Sequence, residues 1–394
     1  MKTGIIVFLR NLIIAASGFV LVSRGIKHLS EIDAAFLLMV MLVINAQNTL
    51  YEGLFLTHTM SLKDELAQLI YKKQYRIQFV IPLLSLFFVH CYSLYVLSNS
   101  IQISSYMLLY VCFLFNILSV GTTNIFCASA KHTAYFLLDI ISTLTAILLI
   151  LNFVNYIILI AALMSRVVGS AIASIVFHVK NVTNQEFHNS DRYIKQYQLY
   201  SLEYFSGTLL SLCRDSFSPL LIGWLISPTA LVAIRIFNTC YSAPGLIAGA
   251  MNKIVVRYAQ KSTRAKKIFK YYLITLYIMS FCYLVMWYLG GASLYESLFG
   301  MKKYFPSDSF ILALTLFCLF WPLGQTAIAK MIFSGASRLF FQVSLTWSLI
   351  SLGCIIILLK YDLVIYMYLF SLSQTINVLI LYKVSKHEAT AKTN

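Results

Sequence analysis

Residues 133–152 read TAYFLLDIISTLTAILLILN, a continuous apolar run with one charged side chain, Asp139. A helix of about 20 apolar residues spans the hydrocarbon core of a bilayer. Eleven more runs of similar length fill the chain, and because they are continuous they predict helices rather than the short alternating strands of a membrane barrel. The twelve predicted spans lie near 5–23, 33–58, 77–97, 104–127, 133–152, 155–178, 198–223, 229–252, 270–290, 308–331, 338–359 and 362–383.

The composition excludes a water-soluble protein. Of the 394 residues, 11% are charged and 60% are hydrophobic, and the mean hydropathy is +0.80. A soluble domain carries roughly 25% charged residues, so this chain has too few polar side chains to cover a water-exposed surface. The sequence therefore predicts an all-α, polytopic membrane protein with twelve transmembrane helices.

Positive charge is divided unevenly between the two sides of the membrane. When loops are assigned alternately, 21 Lys and Arg side chains fall on one side (Arg10 among them), 5 fall on the other side, and 4 lie inside spans. Basic loops remain cytoplasmic, so we expect a multi-pass protein with both termini in the cytoplasm. The net charge of +16 then reflects topology, and we expect membrane lipids, not nucleic acid, as the partner of residues 253–270.

An internal repeat predicts two halves. Residues 125–131 (IFCASAK) resemble 332–338 (IFSGASR) at an offset of 207, and residues 29–35 (LSEIDAA) resemble 226–232 (ISPTALV) at an offset of 197. Both offsets are close to half the chain, or six spans. We therefore expect parallel six-helix halves at 1–195 and 196–394, an arrangement in which transporters bind substrate between the halves.

Three short motifs carry a resemblance to a known family. Residues 30–36 (SEIDAAF), 214–223 (RDSFSPLLIG) and 227–235 (SPTALVAIR) resemble the polysaccharide transporter branch of the multidrug/oligosaccharidyl-lipid/polysaccharide (MOP) exporter superfamily, and most of all its O-antigen (Wzx-type) flippases. In this chain Ile234 or Arg235 stands where that family usually has Tyr.

The resemblance implies a MOP/MATE-like fold and a flippase that is not an enzyme. Its substrate would be a polyprenyl-pyrophosphate-linked oligosaccharide, the O-antigen repeat unit of lipopolysaccharide biosynthesis. The flippase would move this substrate from the cytoplasmic to the periplasmic leaflet of the bacterial inner membrane by alternating access. The resemblance also implies contact with other polysaccharide-assembly proteins.

Charged side chains inside spans cost about 2.5–3.5 kcal/mol each, so they are the candidate site. Arg166 lies near the middle of its span, and Arg214 and Arg235 lie in the outer third of theirs. Arginine stays charged and holds phosphate oxygens with two parallel hydrogen bonds. We therefore predict that these three arginines bind the anionic head group. The alternative for Arg235 is an ion pair with Asp215 that fixes helix packing.

Four carboxylates are candidates for coupling transport to an ion gradient: Asp139, Asp215, Glu52 and Glu203. The chain has no GxxxxGK[ST] phosphate-binding loop, so we expect no ATP hydrolysis by that route and coupling to a proton or sodium gradient. We expect no cofactor, and no metal either, because the eight cysteines show no CxxC spacing. The alternative for Glu52, Asp139 and Glu203 is a capping or interfacial role at the cytoplasmic ends of their helices.

Small residues predict close helix packing at two places. Gly245 and Gly249 form a GxxxG motif, and Ser165 and Gly169 have the same spacing. Such pairs let two helix backbones approach closely within a membrane bundle.

Two other functions share this layout of spans. One is a membrane O-antigen polymerase, an enzyme that carries a large periplasmic loop, whereas the longest outer connection here, about 291–307, is short. The other is a multidrug antiporter, which an acidic cavity suited to cations would favour.

Overall fold

The described residues of this computed structural model are helical except for short turns and connections, and they contain no strand. The description covers residues 2–51, 77–97, 103–126, 133–153, 155–181, 209, 212, 216–260, 263–300, 307–334, 337–358 and 362–391.

Thirteen helices lie within these ranges. They are α1 Lys2–His28, α2 Glu31–Tyr51, α3 Ile77–Tyr95, α4 Ile103–Phe126, α5 Thr133–Asn152, α6 Tyr156–Ser165, α7 Val168–Asn181, α8 Ser218–Leu225, α9 Pro228–Gln260, α10 Ala265–Phe299, α11 Ser307–Ser334, α12 Ser337–Leu358 and α13 Leu363–Ala391.

The apolar character of these helices makes the chain a multi-pass membrane protein. Seven of them are long and apolar enough to cross a bilayer, and α6 and α7 together form a bent eighth candidate span. Eleven of the twelve predicted spans coincide with described helices, and of the run at 198–223 the described part is residues 209, 212 and 216–223. The all-α membrane fold is confirmed.

One predicted span is not a single helix. The run at 155–178 was expected to be continuous, but it is broken at residues 166–167, and α6 and α7 are bent by 48°. The chain has no proline at this position, so the break does not come from the loss of a backbone donor at a proline.

The chain forms two compact units, residues 1–212 and 213–394. The predicted boundary between residues 195 and 196 lies outside the described residues and stays a prediction.

In the first unit, α1 packs against α5, α4 packs against α3 and α7, and α5 packs against α7. Helix α2 contributes a buried apolar stretch from Ala34 to Val43. Because α1, α4, α5 and α7 meet in one bundle, polar side chains on their inner faces must find partners inside the unit.

In the second unit, α11 packs against α9, α10 and α13, and α13 also packs against α12. Aromatic rings fill the contact between α9, α11 and α13, with Phe237 in edge contact with both Phe310 and Phe370. Helix α10 is kinked at Gly291, whose φ of +47° is the left-handed conformation that glycine adopts without strain.

Candidate functional site

A buried ion pair joins the first and fifth helices. Arg10 Nε on α1 donates to Asp139 Oδ2 on α5 at 2.6 Å. The Arg10 residue is 4% exposed and Asp139 is 0% exposed. Charge pairs of this kind withstand burial only when their other polar atoms also find partners.

Those partners come from two serines and one backbone amide. Arg10 Nη2 donates to the hydroxyls of Ser119 on α4 and Ser170 on α7, each at 3.0 Å. The second carboxylate oxygen, Asp139 Oδ1, accepts the Ser170 backbone N–H at 3.1 Å. The guanidinium also lies over the Phe136 ring, 5.5 Å from its centroid. The pair therefore ties together four helices of the first unit.

This pair corrects the sequence-based role of Arg10. The topology count predicts a cytoplasmic loop charge at Arg10, but the residue lies inside α1 and its side chain is bonded to Asp139. Without Arg10 the two sides carry 20 and 5 basic residues, so the predicted orientation is unchanged. Asp139 keeps its place among the ion-coupling candidates. It is the buried counter-ion of Arg10, and its Oδ1 also caps α7, because the Ser170 N–H that it accepts is a first-turn donor without a partner inside that helix.

A glycine brings α7 close enough to α5 for the pair to form. An ideal Cβ built on Gly169 would lie 2.1 Å from Tyr135 O and 3.0 Å from Asp139 N. No side chain fits in that space, so the backbones of α5 and α7 are in direct contact. The close packing predicted from the spacing of Ser165 and Gly169 is confirmed at Gly169, and it places the Ser170 amide against Asp139.

Arg166 stands at the break between α6 and α7. It is the C-cap residue of α6, and its own backbone N–H donates to Met164 O. The break frees the carbonyl of Ser165 from the helical ladder, and Ser142 Oγ on α5 donates to that carbonyl at 2.6 Å. A hydroxyl from α5 thus satisfies one backbone group that the break exposes.

The Arg166 side chain reaches the middle of α1. Its Nη2 donates to Ile14 O at 3.0 Å, and its guanidinium lies 3.5 to 3.8 Å from where a Cβ on Gly18 would be. Gly18 is the tenth residue of the 20-residue candidate span Leu9–His28. Arg166 Nε is buried and has no hydrogen-bond partner among the described residues, so this partly exposed side chain keeps one N–H donor unsatisfied.

The remaining predicted site residues are separate from this cluster or outside the described part of the chain. Arg235 is partly buried in α9, within the second unit. Arg214, Asp215, Glu52 and Glu203 lie outside the described residues. The head-group and ion-coupling roles of these residues stay predictions, and so does the Asp215–Arg235 pair.

Sequence reasoning also missed a second polar cluster in the first unit. Gln47 on α2 donates to Ser85 Oγ on α3 at 2.7 Å, and Asn116 on α4 donates to Gln47 Oε1 at 3.3 Å and to Asn48 Oδ1 at 2.6 Å. Amides in the middle of apolar runs were the available signal. The cluster is neutral and internally bonded, which indicates a role in helix association.

Comparison with known proteins places the chain in a fold class. No protein-family model and no curated protein matches it. Solved structures do match over nearly the whole chain, and they are transporters of the MOP superfamily, including its MATE family. The chain therefore has the MOP/MATE fold.

Three solved structures illustrate this likeness. A MOP superfamily transporter from Pyrococcus furiosus, described as having a binding pocket of reverse polarity, has a TM-score of 0.67 at 12% identity, over 100% of this chain and 96% of that one. The inward-facing conformation of a multidrug resistance MATE transporter has a TM-score of 0.61 at 13% identity, over 97% and 94%. A mutant form of the Vibrio cholerae MATE transporter VcmN has a TM-score of 0.61 at 12% identity, over 99% and 97%.

Proposed function

We propose that the protein is a flippase that moves a polyprenyl-pyrophosphate-linked oligosaccharide across the bacterial inner membrane by alternating access. The fold supports membrane export, since the solved structures that share it are described as transporters. The observation that carries the choice of substrate is the charge around α1. Among the described residues two arginines and one aspartate meet there, which gives this cluster one surplus positive charge.

That surplus charge belongs to Arg166. Asp139 is bonded through both oxygens to Arg10 and Ser170, whereas the only side-chain hydrogen bond of Arg166 among the described residues goes to a backbone carbonyl. A partly buried cation with unused donors in a medium of low dielectric constant attracts anions strongly. The pyrophosphate of a lipid-linked oligosaccharide is such an anion, and its polyprenyl tail would stay in the lipid.

A multidrug antiporter is the second candidate, because several structures with this fold are described as multidrug resistance MATE transporters. Substrate cations would need a surplus of acidic groups, and the cluster around Arg166 has the opposite sign. The fold accommodates differences of this kind, since the Pyrococcus furiosus transporter is itself described by the reverse polarity of its pocket. An O-antigen polymerase has no counterpart among the structures compared above.

Reconstitution into liposomes tests the proposal directly. The purified protein is incorporated with a fluorescent polyprenyl-pyrophosphate oligosaccharide, and an impermeant quencher reports how much of the lipid is in the outer leaflet. We expect quenching to proceed beyond one half only when the protein is present. Export of a lipophilic cationic dye from the same vesicles tests the alternative, a multidrug antiporter.

The two candidates give opposite outcomes. Movement of the anionic lipid without dye export supports the flippase, and dye export without lipid movement supports the antiporter and overturns the proposal.

In cells, loss of a flippase leaves the lipid-linked repeat unit in the cytoplasmic leaflet, whereas loss of a polymerase leaves it in the periplasmic leaflet. The sidedness of the accumulated lipid is therefore the matching test in vivo.

A further inference from the structure

The ion pair of Arg10 and Asp139 lies one helical turn from the side chain of Arg166. Arg166 bonds to the carbonyl of Ile14, four residues or about 6 Å along α1 from Arg10. On α7, Ser170 contacts Arg10 and lies four residues after Arg166. The two guanidinium groups therefore lie in neighbouring turns of α1 and share α7 as a second neighbour.

The two arginines differ in how fully their nitrogens are hydrogen-bonded. Every nitrogen of Arg10 is engaged: Nε with Asp139, Nη1 with Asn11 Oδ1, and Nη2 with the two serines. The Arg166 Nε atom has no such partner among the described residues. An approaching anion would therefore meet Arg166 first, since Arg166 and Asn11 are partly exposed while Arg10 and Asp139 are buried.

We propose that Asp139 is an internal counter-ion that competes with the diphosphate of the substrate for Arg10. The diphosphate bound at Arg166 displaces the carboxylate: the contact from Arg10 Nε to Asp139 Oδ2 breaks, and Arg10 donates to a phosphate oxygen instead. Arg10 thus becomes a second anion-binding residue. This inference rests on the proposed function for its choice of a diphosphate ligand.

The geometry supports exchange of one anion for another at Arg10. The carboxylate is held from its far side by the Ser170 amide at Oδ1, so it keeps a hydrogen bond when Arg10 leaves. Ser119 and Ser170 also bond to each other at 2.7 Å, so their hydroxyls remain paired. The carboxylate then stays buried without its counter-ion, which is costly, so the contacts of the diphosphate to Arg10 and Arg166 must offset that cost.

Binding of inorganic pyrophosphate to the purified full-length protein in detergent tests the inference. We expect Asp139→Asn to bind pyrophosphate about tenfold more tightly than the parent protein, because the freed Arg10 adds a hydrogen bond to a charged group. The double variant Arg10→Gln/Asp139→Asn should lose that gain. Asp362→Asn, which makes the same change of charge on an exposed residue of the second unit, should leave the affinity at the parent value.

A second variant covers the case in which Asp139→Asn does not fold. Ser170→Ala keeps the ion pair and removes one hydroxyl contact to Arg10, so pyrophosphate should bind roughly threefold more tightly. Ser174→Ala, at the next buried serine of the same helix, is the matched control and should show no gain. Thermal melting establishes that each variant is folded.

Each result bears on the inference separately from the proposed function. Equal or weaker binding by Asp139→Asn overturns the inference, and so does a gain that persists in the double variant, since it would not come from Arg10. If Asp139→Asn binds pyrophosphate more tightly but liposomes show no lipid movement, the anion site stands and the flippase proposal fails. If lipid moves but the variants show no gain, only the role of Asp139 as competitor fails.

Discussion

Replacing Gly169 by alanine should separate α7 from α5 and weaken the buried ion pair. The added Cβ would lie 2.1 Å from Tyr135 O, whereas ordinary contacts begin at 3.4 Å, so the helices must move apart by about 1.3 Å. That movement would stretch the 3.1 Å bond from the Ser170 N–H to Asp139 beyond hydrogen-bonding range. Overpacking and the lost bond to a charged group together cost about 2 to 5 kcal/mol.

Equilibrium unfolding in mixed micelles with increasing dodecyl sulfate measures this cost. Gly353→Ala is the matched control, because a Cβ on Gly353 in α12 meets no atom within 4 Å. Alanine also favours a helix by about 1 kcal/mol over glycine, so the control should keep or gain stability. If Gly169→Ala unfolded at the same dodecyl sulfate concentration as Gly353→Ala, the close approach of α5 and α7 would be refuted.

Three further predictions address the charges. Asp139→Ala should lower the free energy of unfolding by about 3 to 5 kcal/mol, because Arg10 is left buried without its counter-ion; a double variant with Arg10→Gln should recover part of that loss. Arg166→Ala should abolish long-chain surface polysaccharide while the protein remains in the membrane, as gels of extracted polysaccharide and immunoblots would show; normal polysaccharide would remove Arg166 from the site. With an impermeant thiol reagent applied from the periplasm, Lys302→Cys should be labelled above the parent chain and Lys266→Cys should not; labelling at 266 would overturn the predicted topology.

The membrane fold could be predicted from sequence because it depends on a local property. A run such as residues 133–152 is long and apolar enough to span a bilayer wherever it lies in the chain. The spacing of Ser165 and Gly169 is equally local, and it indicated a close helix contact correctly. Which helix would be on the other side of that contact could not be read from the spacing.

The ion pair depends on tertiary structure and escaped prediction for that reason. Arg10 and Asp139 are 129 residues apart, and the local sequence around either residue does not indicate its pairing partner. A basic residue near the start of the first apolar run also has the position of an ordinary topology signal. Only the packing of α1 against α5 shows that Arg10 faces inward.

The helix break at Arg166 could not be predicted from a proline, the most common sequence signal of a kink. Residues 163–170 read LMSRVVGS, without proline, and a proline is the common cause of a sharp kink. One signal was present: a single arginine in the middle of an otherwise apolar span. It identified Arg166 as a site candidate, but not as the residue at which the helix ends.

The distance in sequence between Arg10 and Asp139 has a consequence for biosynthesis. At 5 to 20 residues per second, the ribosome needs about 6 to 26 s to make the 129 residues that separate them. During that time the first helix is in the membrane while its counter-ion has not yet been synthesised. Arg10 is the second residue of the candidate span, so its long side chain can reach the headgroups meanwhile. The ion pair can form only after the fifth helix has been made, so α1 cannot complete its buried contacts before α5 is inserted.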